Sequence, residues 1–293
     1  MPGPLDGIRV CDLTRILAGP FATMKLADMG AEVVKVENPD GGDDTRTWGP
    51  PFVEGESCYF LAVNRNKKSL AVDLKAPAGK EILTRLVRSS DVVISNFRPG
   101  TMEKLGFGPA RVAELNPRAV YATISGYGDT QDQWGRSSYD VIVQGECGVM
   151  HLTGDPEGQP FKVGMSIADE VAGMLAVEGI LLSLFQRERT GKAERVDIAL
   201  LDGMLALLTY QSQNFYATGK SPVRMGNQHP SIVPYQTFRT ADGWINVGVG
   251  SDKLWTEFCR VLERPELAGD PRYATNADRV RNRAALLATI YPI

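Results

Sequence analysis

Hydrophobic positions fall in short runs through the first 125 residues, and two spacings alternate. Residues 8–13 carry Ile8, Val10 and Leu13, a brief strand pattern that ends at the loop Thr14-Arg15-Ile16-Leu17-Ala18-Gly19-Pro20. Residues 21–29 read as a helix stopped by Gly30, and 31–36 as the next β-rich run. Further strands are predicted over 69–74 and 91–95, with a helix over 78–89 between them. Pro99-Gly100 opens another helical stretch, Asn116-Pro117 stops it, and 119–125 is again strand-like. Val/Ile-rich strands separated by helices predict an α/β fold with a parallel sheet and helices on both faces.

The pattern changes further on. Residues 126–136 are loop-like, 140–150 helical, and 169–187 a strong helix. Thr190-Gly191-Lys192 makes a turn, 195–198 a short strand, and 199–216 another helix. The runs 232–238 and 244–249 flank Thr240-Ala241-Asp242-Gly243, a hairpin signal. Helices are predicted over 252–262 and 279–290. The chain divides into a large domain over 1–200, a helical linker over 201–225 and a small α+β domain over 226–293.

Composition narrows the function classes. The 293 residues carry 32 Lys+Arg and 35 Asp+Glu, a net charge of −3, so no basic excess marks a nucleic-acid surface. Two histidines, His151 and His229, are too few for a His-rich metal site. Four scattered cysteines form no C-x-x-C pair, which favours a reducing compartment. Apolar runs such as Ile180-Leu181-Leu182 are far from the roughly 20 residues of a membrane span. The opening Met-Pro-Gly-Pro-Leu-Asp-Gly lacks a signal-peptide pattern. The expectation is a soluble, cytoplasmic protein with no nucleic-acid or membrane partner.

An α/β layout invites a nucleotide reading, yet no G-x-G-x-x-G follows a strand and no Walker-type lysine loop is present. This counts against an NAD(P)-dependent oxidoreductase.

Asp169 stands out among candidate reactive groups. Ser166-Ile167-Ala168-Asp169 fits a capping pattern at the head of a helix that carries Gly173 and Gly179 for close backbone approach. A carboxylate in that first turn is expected to stay ionised, helped by about 0.3–1 kcal/mol from the helix N-terminus. It can serve as a nucleophile or simply cap the helix. Three polar clusters suit a phosphorylated ligand: Asn64-Arg65-Asn66-Lys67-Lys68 with Lys75, Asn96-Phe97-Arg98-Pro99-Gly100, and Asp43-Asp44-Thr45-Arg46. Each is equally readable as a solvated loop. The segment Gly226-Asn227-Gln228-His229 is polar and can close over a substrate or merely face water. Cys147 has no cationic activator nearby in sequence and reads as inert.

Taken in order, several segments resemble the class III CoA-transferases, the group that also holds carnitine CoA-transferases and α-methylacyl-CoA racemases. They are Leu5–Val10, Ala18-Gly19-Pro20, 30–37, 64–69, 96–100, Ser125-Gly126-Tyr127-Gly128, the Asp169 segment and Arg189-Thr190-Gly191-Lys192. Segments 43–52 and 226–235 look most like the branch that moves CoA between dicarboxylates such as succinate and glutarate or hydroxymethylglutarate.

The resemblance implies a large Rossmann-like CoA-binding domain, a smaller α+β domain and an interlocked homodimer. It implies a CoA thioester as substrate, a carboxylic acid as partner and no permanently bound cofactor or metal. Asp169 would be the nucleophile. CoA would lie along Arg15, Ile16, Leu17 and Ala18, touch Val72 and Lys75, and stack near Asn96, Phe97 and Arg98. Lys104, Arg136, Ser137, Tyr139 and Asp140 would complete its pocket, and Gly226, Asn227, Gln228 and His229 would form a substrate loop. Backbone amides near Gly226 and Asp169 would receive the oxyanion. Racemases of the group pair the aspartate with a histidine where this chain has Tyr139, which favours transfer over racemization. Asn38 replaces an arginine common after the Lys-x-Glu strand, and Leu17 replaces the glutamine of the oxalate branch. Family members are longer, so the resemblance also implies that a C-terminal return to the first domain is missing here; a non-catalytic acyl-CoA-binding protein is the corresponding alternative.

Overall fold

The computed structural model describes residues 3–129, 136 and 138–293. Two compact units emerge. The first comprises 1–149 and 162–213, and the second 150–161 and 214–293. The division thus falls inside the predicted linker, and a segment just after residue 149 belongs with the C-terminal unit.

In chain order the first unit contains β1 (Arg9–Asp12), α1 (Ala18–Asp28), β2 (Glu32–Glu37), a short hairpin of β3 (Phe52–Val53) and β4 (Glu56–Ser57), α2 (Cys58–Asn64), β5 (Lys67–Ala71) and α3 (Pro77–Arg88). It continues with β6 (Val92–Ser95), α4 (Thr101–Leu105), α5 (Pro109–Leu115), β7 (Val120–Ser125), α6 (Asp140–Glu146), α7 (Val149–Leu152, straddling the unit boundary), α8 (Ile167–Thr190), β8 (Val196–Ala199), α9 (Leu200–Leu207) and α10 (Thr209–Thr218), which crosses it again. Six strands form one sheet in the order β5-β2-β1-β6-β7-β8, and every pairing is parallel. The predicted parallel sheet is therefore observed. Strand order reverses between β1 and β6, so the loops after these two strands diverge at a switch point, where open α/β sheets place ligands.

Strand alternation builds a core on each face. Val10, Val33, Val92, Ile94, Val120, Ala122 and Ile124 pack with α1, α6, α8 and α9. Cys11, Val93 and Tyr121 point the other way, against Leu83 and Val87 of α3, Met102 of α4 and Val112 of α5. Helix α8 is nearly all apolar or small along its inner face, from Ala168 through Ala172, Ala176 and Ile180 to Leu184. Gly173 has a steric reason to lack a side chain. A Cβ there would lie 2.7 Å from the Ala18 carbonyl oxygen and 2.9 Å from Phe21.

Two long predicted helices are broken. The run 199–216 divides at Leu208, and Thr209 takes a left-handed φ of 38°. The run after Pro99-Gly100 divides at Gly106, whose φ of 89° ends α4.

The second unit holds β9 (Tyr235–Arg239), β10 (Trp244–Gly248), α11 (Asp252–Val261), α12 (Glu266–Gly269), α13 (Asn276–Arg281) and α14 (Arg283–Ile290). β9 and β10 form the predicted antiparallel hairpin. Its core gathers Val233, Phe238, Trp255, Tyr273, Leu286 and Ile290. Arg279 is fully buried there. It donates to the carbonyls of Val233 (2.9 Å) and Tyr273 (3.0 Å), pairs with Asp252 at 2.9 Å and lies over the Trp255 ring. Among the described residues no helix is long and apolar enough to cross a membrane.

Candidate active site

Asp169 occupies the first turn of α8 and is half-buried. Its carboxylate accepts no hydrogen bond from the described residues. The predicted cap is corrected by the structure: the Ser166 side chain caps nothing, its backbone (φ −82°, ψ 66°) departing from the extended N-cap geometry. Asp140 of α6 takes over. Its Oδ1 accepts the Ala168 N–H at 2.8 Å and its Oδ2 accepts from Gln144 Nε2 at 2.7 Å. Gln144, fully buried, also accepts the Val163 N–H at 2.8 Å through Oε1. A buried amide and a buried carboxylate on α6 thus fix where α8 begins.

The electrostatic expectation for Asp169 also changes. Burial pushes its carboxyl up to about 7, and the charges of Asp140 and Glu170 push the same way. Desolvation and two like charges outweigh the helix N-terminus, so the group titrates near neutrality. The Tyr59 phenol faces the same charges. Burial raises it to about 12, with Asp169, Asp140, Asp43 and Glu170 adding.

Residues i and i+4 share a helix face, so Asp169 lies on the face that Gly173 presses against Ala18. That contact brings α8 to the end of the loop after β1. Asn96, just after β6, clamps this loop: its Oδ1 accepts the Arg15 N–H at 2.8 Å and its Nδ2 donates to the Arg15 carbonyl at 2.7 Å. Ile16 and Leu17 pack with Phe21, Met24, Tyr59 and Val63 in a small apolar cluster.

On its other side the loop opens on a cleft of about 610 Å³. Arg15, Val72, Lys75 and Phe97, four of the predicted CoA contacts, line it together with Asn38 and Thr101. The Arg15 guanidinium sits 5.4 Å from the Phe97 ring centre. Arg98 lines a smaller neighbouring hollow that Phe97 also borders.

The remaining predicted contacts are dispersed. Lys104 is exposed on α4, outside the cleft lining, which takes Thr101 and Leu105 from that helix. Arg136 pairs with Glu146 at 2.6 Å and covers the Tyr127 ring. Tyr139 is 64% exposed. Ser137 lies outside the described residues. Asp140, expected to contact CoA, is buried and committed to Ala168 and Gln144.

Within the second unit, Gly226 adopts a φ of 58° and donates its N–H to the Gly154 carbonyl. Arg283 braces the loop by donating to Gln228 Oε1 (3.2 Å) and to the carbonyls of His229 and Pro230 (both 2.8 Å). His229 Nδ1 accepts the Ser231 N–H at 3.0 Å. Burial, then the Arg283 charge, lowers the His229 pKa. Asn227 borders a hollow of about 350 Å³ on the hairpin.

A sequence profile for CoA-transferase family III matches residues 5–292. The chain belongs to this family. It is 46% identical to a mouse succinyl-CoA:glutarate CoA-transferase, covering 97% of this chain and 65% of the mouse protein. A succinate–glutarate CoA-transferase of Agrobacterium fabrum is also 46% identical, over 96% of this chain and 72% of that one. An acetyl-CoA:oxalate CoA-transferase of Acetobacter aceti reaches 44%, over 98% and 74%. The chain therefore spans about two thirds of the length of curated relatives it matches. A CAIB/BAIF family protein from Brucella suis has the same fold, with a TM-score of 0.87 at 45% identity over all of this chain and 78% of that one.

In two candidate clusters most charged groups are engaged in ion pairs within the chain, although Asp43 also lines the cleft. In 64–68, Lys67 is buried against Asp12 (3.3 Å) and the Pro20 carbonyl (2.9 Å), Arg65 pairs with Asp28, and Lys68 with Glu32. Burial lowers the Lys67 pKa to about 8 although Asp12 opposes this. In 43–46, Asp43 pairs with Lys35 at 2.9 Å, and Arg46 binds Glu37 through two 2.8 Å bonds. Lys35, Tyr59 and Gln144 were not singled out from sequence. Lys35 had a signal, a lone cation inside the Val-rich run 32–37; Tyr59 and Gln144 had none short of tertiary structure.

Proposed function

We propose that this chain carries the nucleophile and CoA cleft of an enzyme that exchanges CoA between succinyl-CoA, or another dicarboxylyl-CoA, and a carboxylic acid acceptor, with a dicarboxylate preferred. The observation that carries this reading is the placement of the Asp169 carboxylate, without a hydrogen bond among the described residues, on the α8 face that packs against Ala18. The loop ending there begins at Arg15, on the wall of the cleft with Val72, Lys75 and Phe97.

A carboxylate oxygen of Asp169 attacks the thioester carbonyl carbon. The C–S bond breaks, giving a mixed anhydride and CoA thiolate. The thiolate attacks the aspartyl carbonyl and releases the donor acid, leaving an Asp169–CoA thioester. The acceptor carboxylate attacks that thioester, expelling thiolate and forming a second anhydride. Thiolate then attacks the acceptor acyl carbon and restores Asp169. One thioester replaces another, so neither ATP nor a metal is required by the balance. Anhydride formation from a thioester is uphill, and contacts to the distant nucleotide part of CoA offset it. Backbone amides at the head of α8 are proposed oxyanion donors. A homodimer completes the reading.

The test is a screen of acceptors (succinate, glutarate, hydroxymethylglutarate, mesaconate and oxalate) with succinyl-CoA, read by liquid chromatography–mass spectrometry. The expected result is new acyl-CoA from glutarate and little from oxalate. Absence of any exchange in a protein that binds CoA selects the non-catalytic alternative.

A further inference from the structure

Beneath the loop after β1 lie two charged side chains to which the transfer steps give no task. Lys35 and Asp43 are 2% and 0% exposed in their side chains and meet at 2.9 Å. Lys35 Nζ also donates to the Thr14 carbonyl at 2.8 Å. The Asp43 carboxylate accepts the Ile16 N–H, at 3.2 Å to Oδ2. Its Oδ1 accepts from the Thr45 N–H (3.0 Å) and hydroxyl (2.8 Å), which fixes its orientation. A continuous bridge therefore runs from the carbonyl of residue 14, through a cation and an anion, to the amide of residue 16. Asn96 holds both polar groups of Arg15 between them.

Ile16, the residue at the end of that bridge, has a φ of 70°. A β-branched side chain rarely adopts the left-handed region, and such a conformation persists only where the surroundings over-determine it. A buried ion pair is also a poor stabiliser compared with well-packed apolar residues of similar size. Bulk stability therefore explains the pair badly, whereas its two hydrogen bonds to flanking peptides explain it well. The structure assigns Lys35 and Asp43 as positioning residues that hold Ile16 left-handed, so that the chain turns from the cleft wall at Arg15 to the α8 contact at Ala18. The assignment rests on the proposed CoA site for its binding consequence, not for its local one.

The double variant Lys35→Met/Asp43→Leu removes both charges together and leaves no lone ion buried. Amide hydrogen exchange of the peptide spanning 13–20 gives the local readout, and calorimetry with CoA gives the second. The double variant is expected to remain folded and to exchange over 13–20 about tenfold faster, while peptides from the middle of α8 keep their rates. CoA affinity is expected to fall about fivefold or more, and KM for succinyl-CoA to rise while KM for the acceptor acid holds. Unchanged exchange over 13–20 in the folded double variant overturns the assignment. If that variant fails to fold, Lys35→Met/Asp43→Ala is read by the same two measurements, with the same outcome deciding. Failure of the unmodified protein to bind CoA would defeat the proposed function, yet the exchange comparison would still decide this one.

Discussion

The Asp140 carboxylate accepts the Ala168 N–H at 2.8 Å, one residue before Asp169. The same side chain thus orders the head of α8 and places negative charge beside Asp169, the proposed nucleophile, contributing to its upward shift. Cap and electrostatic neighbour are one group.

Asp140→Asn separates these roles. The amide oxygen can still cap Ala168, although its nitrogen then faces the Gln144 Nε2 donor, and the charge is gone. In the proposed mechanism Asp169 attacks as the carboxylate, so kcat/KM should rise with pH through about 7 in the unmodified protein. In Asp140→Asn the rising limb should move to lower pH. Asp140→Ala should in addition cost about 1 kcal/mol of stability through the lost cap. A pH–rate profile of the three proteins checks this, and an unmoved limb in Asp140→Asn would exclude the charge effect.

Asp169→Asn should abolish exchange while leaving CoA binding intact, and it should stabilise the fold above neutral pH. The native carboxyl titrates near 7 against an unfolded value near 3.9. Stability tied to this raised group is full below about pH 4 and is lost as pH climbs through 7. The asparagine variant lacks that loss. It should melt above the unmodified protein at pH 8, by roughly 1–3 kcal/mol, with the gap closing near pH 4. Equal melting curves at both pH values would contradict it.

Gly173→Ala should be damaging out of proportion to its size. The added carbon would sit 2.7 Å from a backbone oxygen, which cannot move aside as a side chain can. Overpacking of this kind costs about 1–3 kcal/mol. Since the displaced atom belongs to Ala18, kcat should fall as well, by about tenfold or more. Activity per folded molecule equal to that of the unmodified enzyme would show that the α1–α8 spacing does not control the site.

Arg279→Met should selectively loosen the second unit. It removes donors to two carbonyls and the pairing with Asp252, leaving buried acceptors unsatisfied. A loss of about 1–3 kcal/mol for each orphaned carbonyl is expected, visible as rapid proteolysis within 214–293. Peptides from the six-stranded sheet should keep slow hydrogen exchange.

Much of the fold was legible because parallel strands buried on both faces leave continuous Val/Ile runs. Residues 91–95 and 119–125 were readable for this reason, and the observed strands fall inside them. Helices α2 and α12 were missed because each is short and weakly patterned. The broken helix at Leu208–Thr209 was invisible since the residues there are ordinary helix formers or neutral. Within the site, Arg15, Val72, Lys75 and Phe97 line one cleft. Local sequence misled where a polar residue's partner is remote. Ser166 looked like a cap, but the acceptor that serves lies on α6. The cluster 64–68 looked like a ligand surface, but Lys67 points inward, to an aspartate 55 positions earlier in the chain.

The reversal of strand order between β1 and β6 has a consequence for how the protein can be altered. The segment leaving β1 is tied to Asn96 in the segment leaving β6 and, through Thr14 and Ile16, to Lys35 and Asp43, so the two segments share one braced rim. Exposed side chains on that rim, such as Arg15, can therefore be exchanged to alter what is gripped, whereas replacing the backbone of 15–17 would undo it.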